Sequence, residues 1–106
     1  MKTRGCVSIV VFFIGVCIST SLFAYGPTVT VEFDTDRQGG DYRSMDVMNF
    51  EECLFACVND QNCAAFIFVR KNKQPPNYNN ASPKCWLKRS VPGKRSDDCC
   101  ITGIKQ

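Results

Sequence analysis

The chain of 106 residues contains no histidine. That absence removes the commonest general base near neutral pH and the usual partner of a serine or cysteine nucleophile. Catalysis is therefore disfavoured before any motif is weighed. There is also no internal repeat and no low-complexity segment. The one long apolar run, Val7 to Ile18, is interrupted by Ser8 and Gly15. It falls short of the roughly 20 residues that a membrane span needs. No cysteine lies between Cys17 and Cys53, and no acid lies between Arg70 and Arg95.

What is present starts with a leader. Met1-Lys2-Thr3-Arg4 is basic, the apolar run follows, and Ser19 to Ala24 supplies small residues near a cleavage point. This is the build of a secretory signal peptide over residues 1–24, cut after Ala24 in preference to Ser21. A lipoprotein signal would use Cys17, but bulky Val16 stands where a small residue belongs. Residues 25–106 are then a single exported domain, extracellular or, in a bacterial host, periplasmic. Cys6 and Cys17 leave with the leader, so Cys53, Cys57, Cys63, Cys85, Cys99 and Cys100 remain for an even pairing.

So many cysteines in a small exported chain read as a disulfide framework rather than a metal or redox site. A zinc site from Cys53, Cys57, Cys63 and Cys85 would lack the usual Cys-x2-Cys knuckle. Neither a metal nor a cofactor is expected. At about 80 residues one core buries only a modest share of the chain's surface, and staples are usually needed.

Val29 to Phe33 alternates at period two and reads as a strand. Asp34 to Tyr42, with Gly39-Gly40 among charges, reads as a turn. Asn49-Phe50-Glu51-Glu52 opens a helix, with Asn49 as cap and Glu52 placed to reach back. Phe50, Cys53, Leu54, Cys57 and Val58 form its apolar stripe. Ala64 to Val69 is a continuous apolar run, expected as a central strand buried on both faces. Arg70 to Lys84 is a long polar loop containing Pro75-Pro76. Lys84 to Lys88 and Cys99 to Ile104 are further strands, with a turn over Val91 to Asp98. The expected fold is α+β: a small disulfide-stapled antiparallel sheet with one helix packed on it.

Cys53 and Cys57 share a helix face that must meet the sheet. Cys57 is close enough to reach Cys63, and Cys85 is the available partner for Cys53, though six cysteines allow fifteen connectivities. Adjacent strand residues point to opposite faces, so Cys99 and Cys100 cannot both enter one buried staple. A vicinal Cys99–Cys100 bond, displacement of another partner, and free or intermolecular thiols are all open. The vicinal bond is preferred.

The helix with Cys-x3-Cys, Cys63-Ala64-Ala65-Phe66, Cys85-Trp86-Leu87-Lys88 and the terminal Gly103-Ile104 together resemble the PAN/Apple domain family, in its compact single-module form. Phe33 to Arg43 and Cys99 to Gly103 resemble stretches of the same variety. The likeness spans about residues 31–105. It implies a curved antiparallel sheet cradling one helix, with bridges Cys53–Cys85 and Cys57–Cys63. It also implies a module that binds protein or carbohydrate without catalysis. Apple domains proper add a bridge joining the two ends, which this chain lacks, and Cys99-Cys100 departs from their pattern.

Removing Lys2 and Arg4 takes the net charge from +3 to +1, an ordinary balance with an uneven distribution. Eight acids lie between Val31 and Asp60, and eight bases between Arg70 and Arg95. Arg70, Lys71, Lys73, Lys84, Lys88 and Arg89 flank one loop and the strand after it, where they are candidates to bind an anionic glycan. Tyr78, mid-loop, is a candidate to stack on a sugar. The bland alternative is that these bases merely solubilise a loop and an edge strand. Trp86 is assigned to the core, on the strand face opposite Cys85. Asn80-Ala81-Ser82 is a potential N-glycosylation acceptor in a eukaryotic host.

The expected function is a secreted, non-catalytic recognition module for carbohydrate or protein. The alternatives are an inhibitor or effector docking on a partner protein through Arg70–Lys84, and a thiol-active protein using Cys99-Cys100. The expected partner is a glycan or an extracellular protein. No nucleic acid is expected, and no membrane once the leader is gone.

Overall fold

The structure is a computed structural model that describes residues 28–106. The signal peptide expected over residues 1–24, and its cleavage point, lie outside the described residues. The described chain runs β1 (Val29–Asp36), β2 (Asp41–Asp46), α1 (Phe50–Val58), β3 (Ala65–Val69), β4 (Lys84–Lys88) and β5 (Arg95–Lys105). The strands form one five-stranded sheet in the order β1-β5-β3-β4-β2, antiparallel at every pairing.

The apolar run Ala65-Phe66-Ile67-Phe68-Val69 has no polar side chain to show to water, and it takes the centre of the sheet with every residue buried. Its period-two alternation divides two faces. Phe66 and Phe68 turn to one side, where they join Cys53, Cys57, Cys85 and Leu87 beneath α1. Ile67 and Val69 turn to the other, where they meet Cys100, Cys99 and Trp86. Burying Phe66 and Leu87 completely stabilises the domain by about 1.5–3 kcal/mol each.

The helix begins where its sequence provides a cap. Asn49 Oδ1 accepts from the Glu52 amide at 3.0 Å, and Glu52 Oε1 reaches back to the Met48 amide at 2.9 Å. Two bridges fasten α1 to what surrounds it: Cys53–Cys85 to β4, and Cys57–Cys63 to the segment leading into β3. Cys99 and Cys100 are bonded to each other. Gly103 on β5 sits opposite Phe66, and a Cβ there would collide with three carbons of that ring. The sheet thus keeps a side-chain-free position under its largest core residue.

Three segments differ from the sequence expectations. Asp41–Asp46, expected to begin as a turn, is edge strand β2, paired on one side to β4. Its charged residues are tolerated because an edge strand remains largely in water. β1 continues to Asp36, and β5 starts at Arg95 inside the expected turn. The longer β1–β5 pairing is broken by a wide bulge. Phe33 faces Ile101 and Thr35 faces Ser96, so Asp34 alone stands opposite residues 97–100. Asp34 takes a left-handed φ of 52° at that point, a conformation that Asp accepts more readily than most residues.

Candidate functional site

The bulge has a consequence for the face of the sheet away from α1. There the side chains of Ile67, Val69 and Trp86 make an apolar floor, and the Cys99–Cys100 disulfide closes one end of it. Over this floor lies a cavity of about 560 Å³, within the range of small-ligand sites. The 70–84 loop supplies one wall through Gln74, Pro75 and Tyr78. Trp86 is held by its Nε1–H, which donates to Gln74 Oε1 at 2.8 Å, and by the edge-on ring of Tyr78 at 6.0 Å. Trp86 faces away from Cys85, packs against the Ile67, Val69 and Cys100 cluster, and stays half-buried where it lines this cavity. Among the described residues, a helix covers only the other face of the sheet.

The rim is charged, with four carboxylates, Asp36, Asp41, Asp97 and Asp98, against three bases, Lys73, Lys88 and Arg95. Lys88 Nζ donates to Asp41 Oδ1 and to the Gly39 carbonyl at 2.9 Å. Arg95 spans Asp36 at 3.3 Å and Asp97 at 3.5 Å, and Lys73 lies 3.6 Å from Asp98. Each base that lines the cavity has an acid beside it.

This pairing redistributes the sequence candidates. Lys73, Tyr78 and Lys88 reach the cavity lining. Arg70 instead pairs with Asp34 at 3.1 Å and donates to the Asp98 carbonyl, bracing the bulge. Lys84 pairs with Asp46 at 3.1 Å. The guanidinium of Arg89 lies 4.5 Å over the Tyr42 ring. Lys71 is exposed, with no ion pair among the described residues. Among the described residues, four of the six bases, Arg70, Lys73, Lys84 and Lys88, are thus paired with carboxylates, and Lys71 and Arg89 are not. Asn80 is tied into the loop: its Oδ1 accepts from the Gln74 amide at 2.8 Å, and its Nδ2 donates to the Gln74 carbonyl at 3.1 Å.

A second depression of about 500 Å³ lies beside α1, lined by Arg43, Phe55 and Asp60 among others. Asp60 is held below the usual carboxylate range by the Asn62 amide and then by the Tyr42 hydroxyl, which donates to it at 2.8 Å. Tyr42 is pushed up to about 12 by burial first and by that hydrogen bond second. Glu32, gripped by Arg37 Nε at 3.0 Å and Nη2 at 3.1 Å, is likewise lowered. These groups brace loops and edges. Their placement is structural.

Gln74, Asp36, Arg95 and Asp97 line the cavity without having been singled out by the sequence. The placement of Trp86 was legible, since it follows a staple cysteine and on a strand must face away from the helix that the cysteine holds.

Among the described residues one helix, bridged to β4 and to the segment leading into β3, covers one face of an antiparallel sheet and leaves an open cavity on the other, the build of a small disulfide-stabilised interaction module. The family model of the PAN domain matches residues 35–88, just over half of the chain, and the chain belongs to that family. The match takes in β2, α1, β3, the long loop and β4, with both helix bridges. The bulge and Cys99–Cys100 lie beyond it. PAN domains generally mediate protein or carbohydrate binding and are not catalytic. Comparison with curated proteins gives no match.

Proposed function

We propose that residues 25–106, released from the 1–24 leader, are a secreted recognition module that binds a neutral carbohydrate in the Trp86 cavity without catalysis. The observation that carries this reading is an apolar floor beneath a rim whose bases are already paired with carboxylates. The floor of Trp86, Val69 and the disulfide matches the C–H face of a sugar ring. Rim carboxylates accept hydroxyl protons, while Lys73, Lys88 and Arg95 donate. A sulfated ligand would have to break ion pairs that already occupy most of the candidate bases, which argues for an uncharged one. The disulfides and the leader support an oxidising, extracellular compartment.

The test is the oxidised domain against neutral, acidic and sulfated glycans at low and physiological salt. Binding to neutral glycans should persist as salt rises, because screening acts on exposed charges. Tyr78→Ala, at an exposed position, should weaken it about tenfold, the equivalent of ~1.4 kcal/mol. Binding restricted to sulfated glycans and lost in Lys71→Ala or Arg89→Ala would overturn the reading in favour of a basic patch. Absence of glycan binding would move the site to a protein partner docking on the 70–84 loop.

A further inference from the structure

We propose that Cys99–Cys100 is a thiol-exchange site, open to a dithiol reductant through the Trp86 cavity, and that its reduction reshapes the cavity while the domain stays folded. Nothing in the recognition reading requires this bond to be breakable; the argument comes from where the three bridges sit.

Burial separates them first. Cys53, Cys57 and Cys85 are 0 % exposed and Cys63 is 2 % exposed, all beneath or beside α1. Cys99 is partly exposed and lines the cavity, while Cys100 is 2 % exposed behind it. Both cysteines line the cavity, whereas the helix-bridge sulfurs lie beneath α1, so a reductant entering the cavity is nearest the Cys99–Cys100 bond. Chain connectivity separates them again. The helix bridges span 32 and 6 residues, whereas Cys99 and Cys100 are neighbours. Opening the vicinal bond releases almost no chain, so the fold has little reason to follow.

The local backbone does have a reason to move. Neighbouring residues of a regular strand point to opposite faces, yet here both sulfurs are joined at the bulge. The Arg70 amide donates to the Cys99 carbonyl at 2.8 Å, and the Cys99 amide donates to Asp97 Oδ1 at 3.0 Å. Once the sulfurs part, residues 97–100 are free to leave that arrangement. They carry with them Asp97 and Asp98 of the rim and one end of the floor.

The exchange balances without an external oxidant. One thiolate of the dithiol attacks Cys99 Sγ, the Sγ–Sγ bond breaks, and Cys100 leaves as a thiolate. The released Cys100 thiolate takes up a proton from solvent. The second thiol of the reductant then attacks the mixed disulfide and releases Cys99 as a thiol. Two electrons and two protons pass to the protein, and the dithiol becomes a disulfide.

The single tryptophan is the reporter, because Trp86 packs into the same cluster as Cys99 and Cys100. The oxidised domain would be titrated with dithiothreitol, and free thiols alkylated and mapped by mass at each step. We expect alkylation at Cys99 and Cys100 before any other cysteine. It should be accompanied by a rise in Trp86 emission as the quenching disulfide is lost, with an unchanged far-ultraviolet spectrum. The Cys99→Ser/Cys100→Ser variant should show the reduced form's emission without reductant. Alkylation of the helix cysteines at the same or lower dithiothreitol would overturn the proposal, as would emission that does not change. The affinity of neutral methyl pyranosides, where bound, should fall about tenfold on reduction; this arm rests on the recognition reading. Absence of sugar binding in both redox states alongside selective alkylation and the emission change would refute that reading and support the exchange site.

Discussion

Replacing Cys53 and Cys85 together by alanine should bring the domain close to unfolding, whereas the same change at Cys99 and Cys100 should leave it standing. The first bridge closes 32 residues and the Cys57–Cys63 bridge closes 6. In the chain-entropy account these correspond to about 4 and about 2 kcal/mol, and a vicinal bond to about 1 kcal/mol. A domain of this size has a net stability of about 5 kcal/mol, so losing the long bridge leaves roughly 1 kcal/mol before any packing loss. Cys53 and Cys85 are fully buried against Phe66, Phe68 and Leu87, so truncating them also opens space under α1. With a urea slope of about 1 kcal/mol/M, the midpoint should drop by roughly 4 M for the Cys53/Cys85 pair and by ~1 M for the Cys99/Cys100 pair. Far-ultraviolet circular dichroism would follow both, because the emission of Trp86 responds directly to the second change. Equal midpoint shifts for the two pairs would refute the ranking, and with it the premise that the helix bridges carry the fold.

Three further outcomes follow from particular contacts. Gly103→Ala should cost about 3 kcal/mol by overpacking, since the added methyl collides with the buried Phe66 ring; thermal melting checks this, and an unchanged melting temperature would contradict the Phe66–Gly103 pairing. Lys88→Ala should cost about 2–3 kcal/mol, less than for a fully buried pair because Asp41 is 38 % exposed; double-mutant analysis with Asp41→Asn isolates the coupling. The pH profile of stability should fall at both ends. Glu32 is lowered from 4.5 by Arg37, so its contribution is present above that value and lost as pH falls through the lower folded pKa. Tyr42 is raised from 10.0 to about 12, so its contribution is present below 10.0 and lost as pH rises toward about 12. Glu32→Gln should flatten the acid side and Tyr42→Phe the alkaline side in melting curves taken across pH.

The elements with strong local signals were legible in the chain. Asn49 and Glu52 mark the start of α1, and the unbroken apolar run of β3 requires the sheet's centre. β2 was not legible, because an edge strand pairs on one side and its exposed Asp41, Arg43 and Asp46 carry no period. Nor was the bulge, since Asp97-Asp98 reads as a turn until β1 is placed beside it. The pairing of the candidate bases was not legible either. Whether Arg70 and Lys88 are free or paired depends on Asp34 and Asp41, 36 and 47 residues away, and only the sheet order brings those together. Of the basic cluster seen in one dimension, Arg70, Lys73, Lys84 and Lys88 enter ion pairs in three, while among the described residues Lys71 and Arg89 do not.

The central claim is that the helix-free face, and not the basic stretch, is the ligand surface. Its most direct test is the indole N–H resonance of Trp86, the chain's single tryptophan, in a titration of the oxidised domain with neutral methyl pyranosides. The account predicts a saturable shift of that resonance, shared by Val69, Gln74 and Cys99 and unaltered by added salt. An indole that stays fixed while the shifts gather at Arg43, Phe55 and Asp60 beside the helix would contradict it.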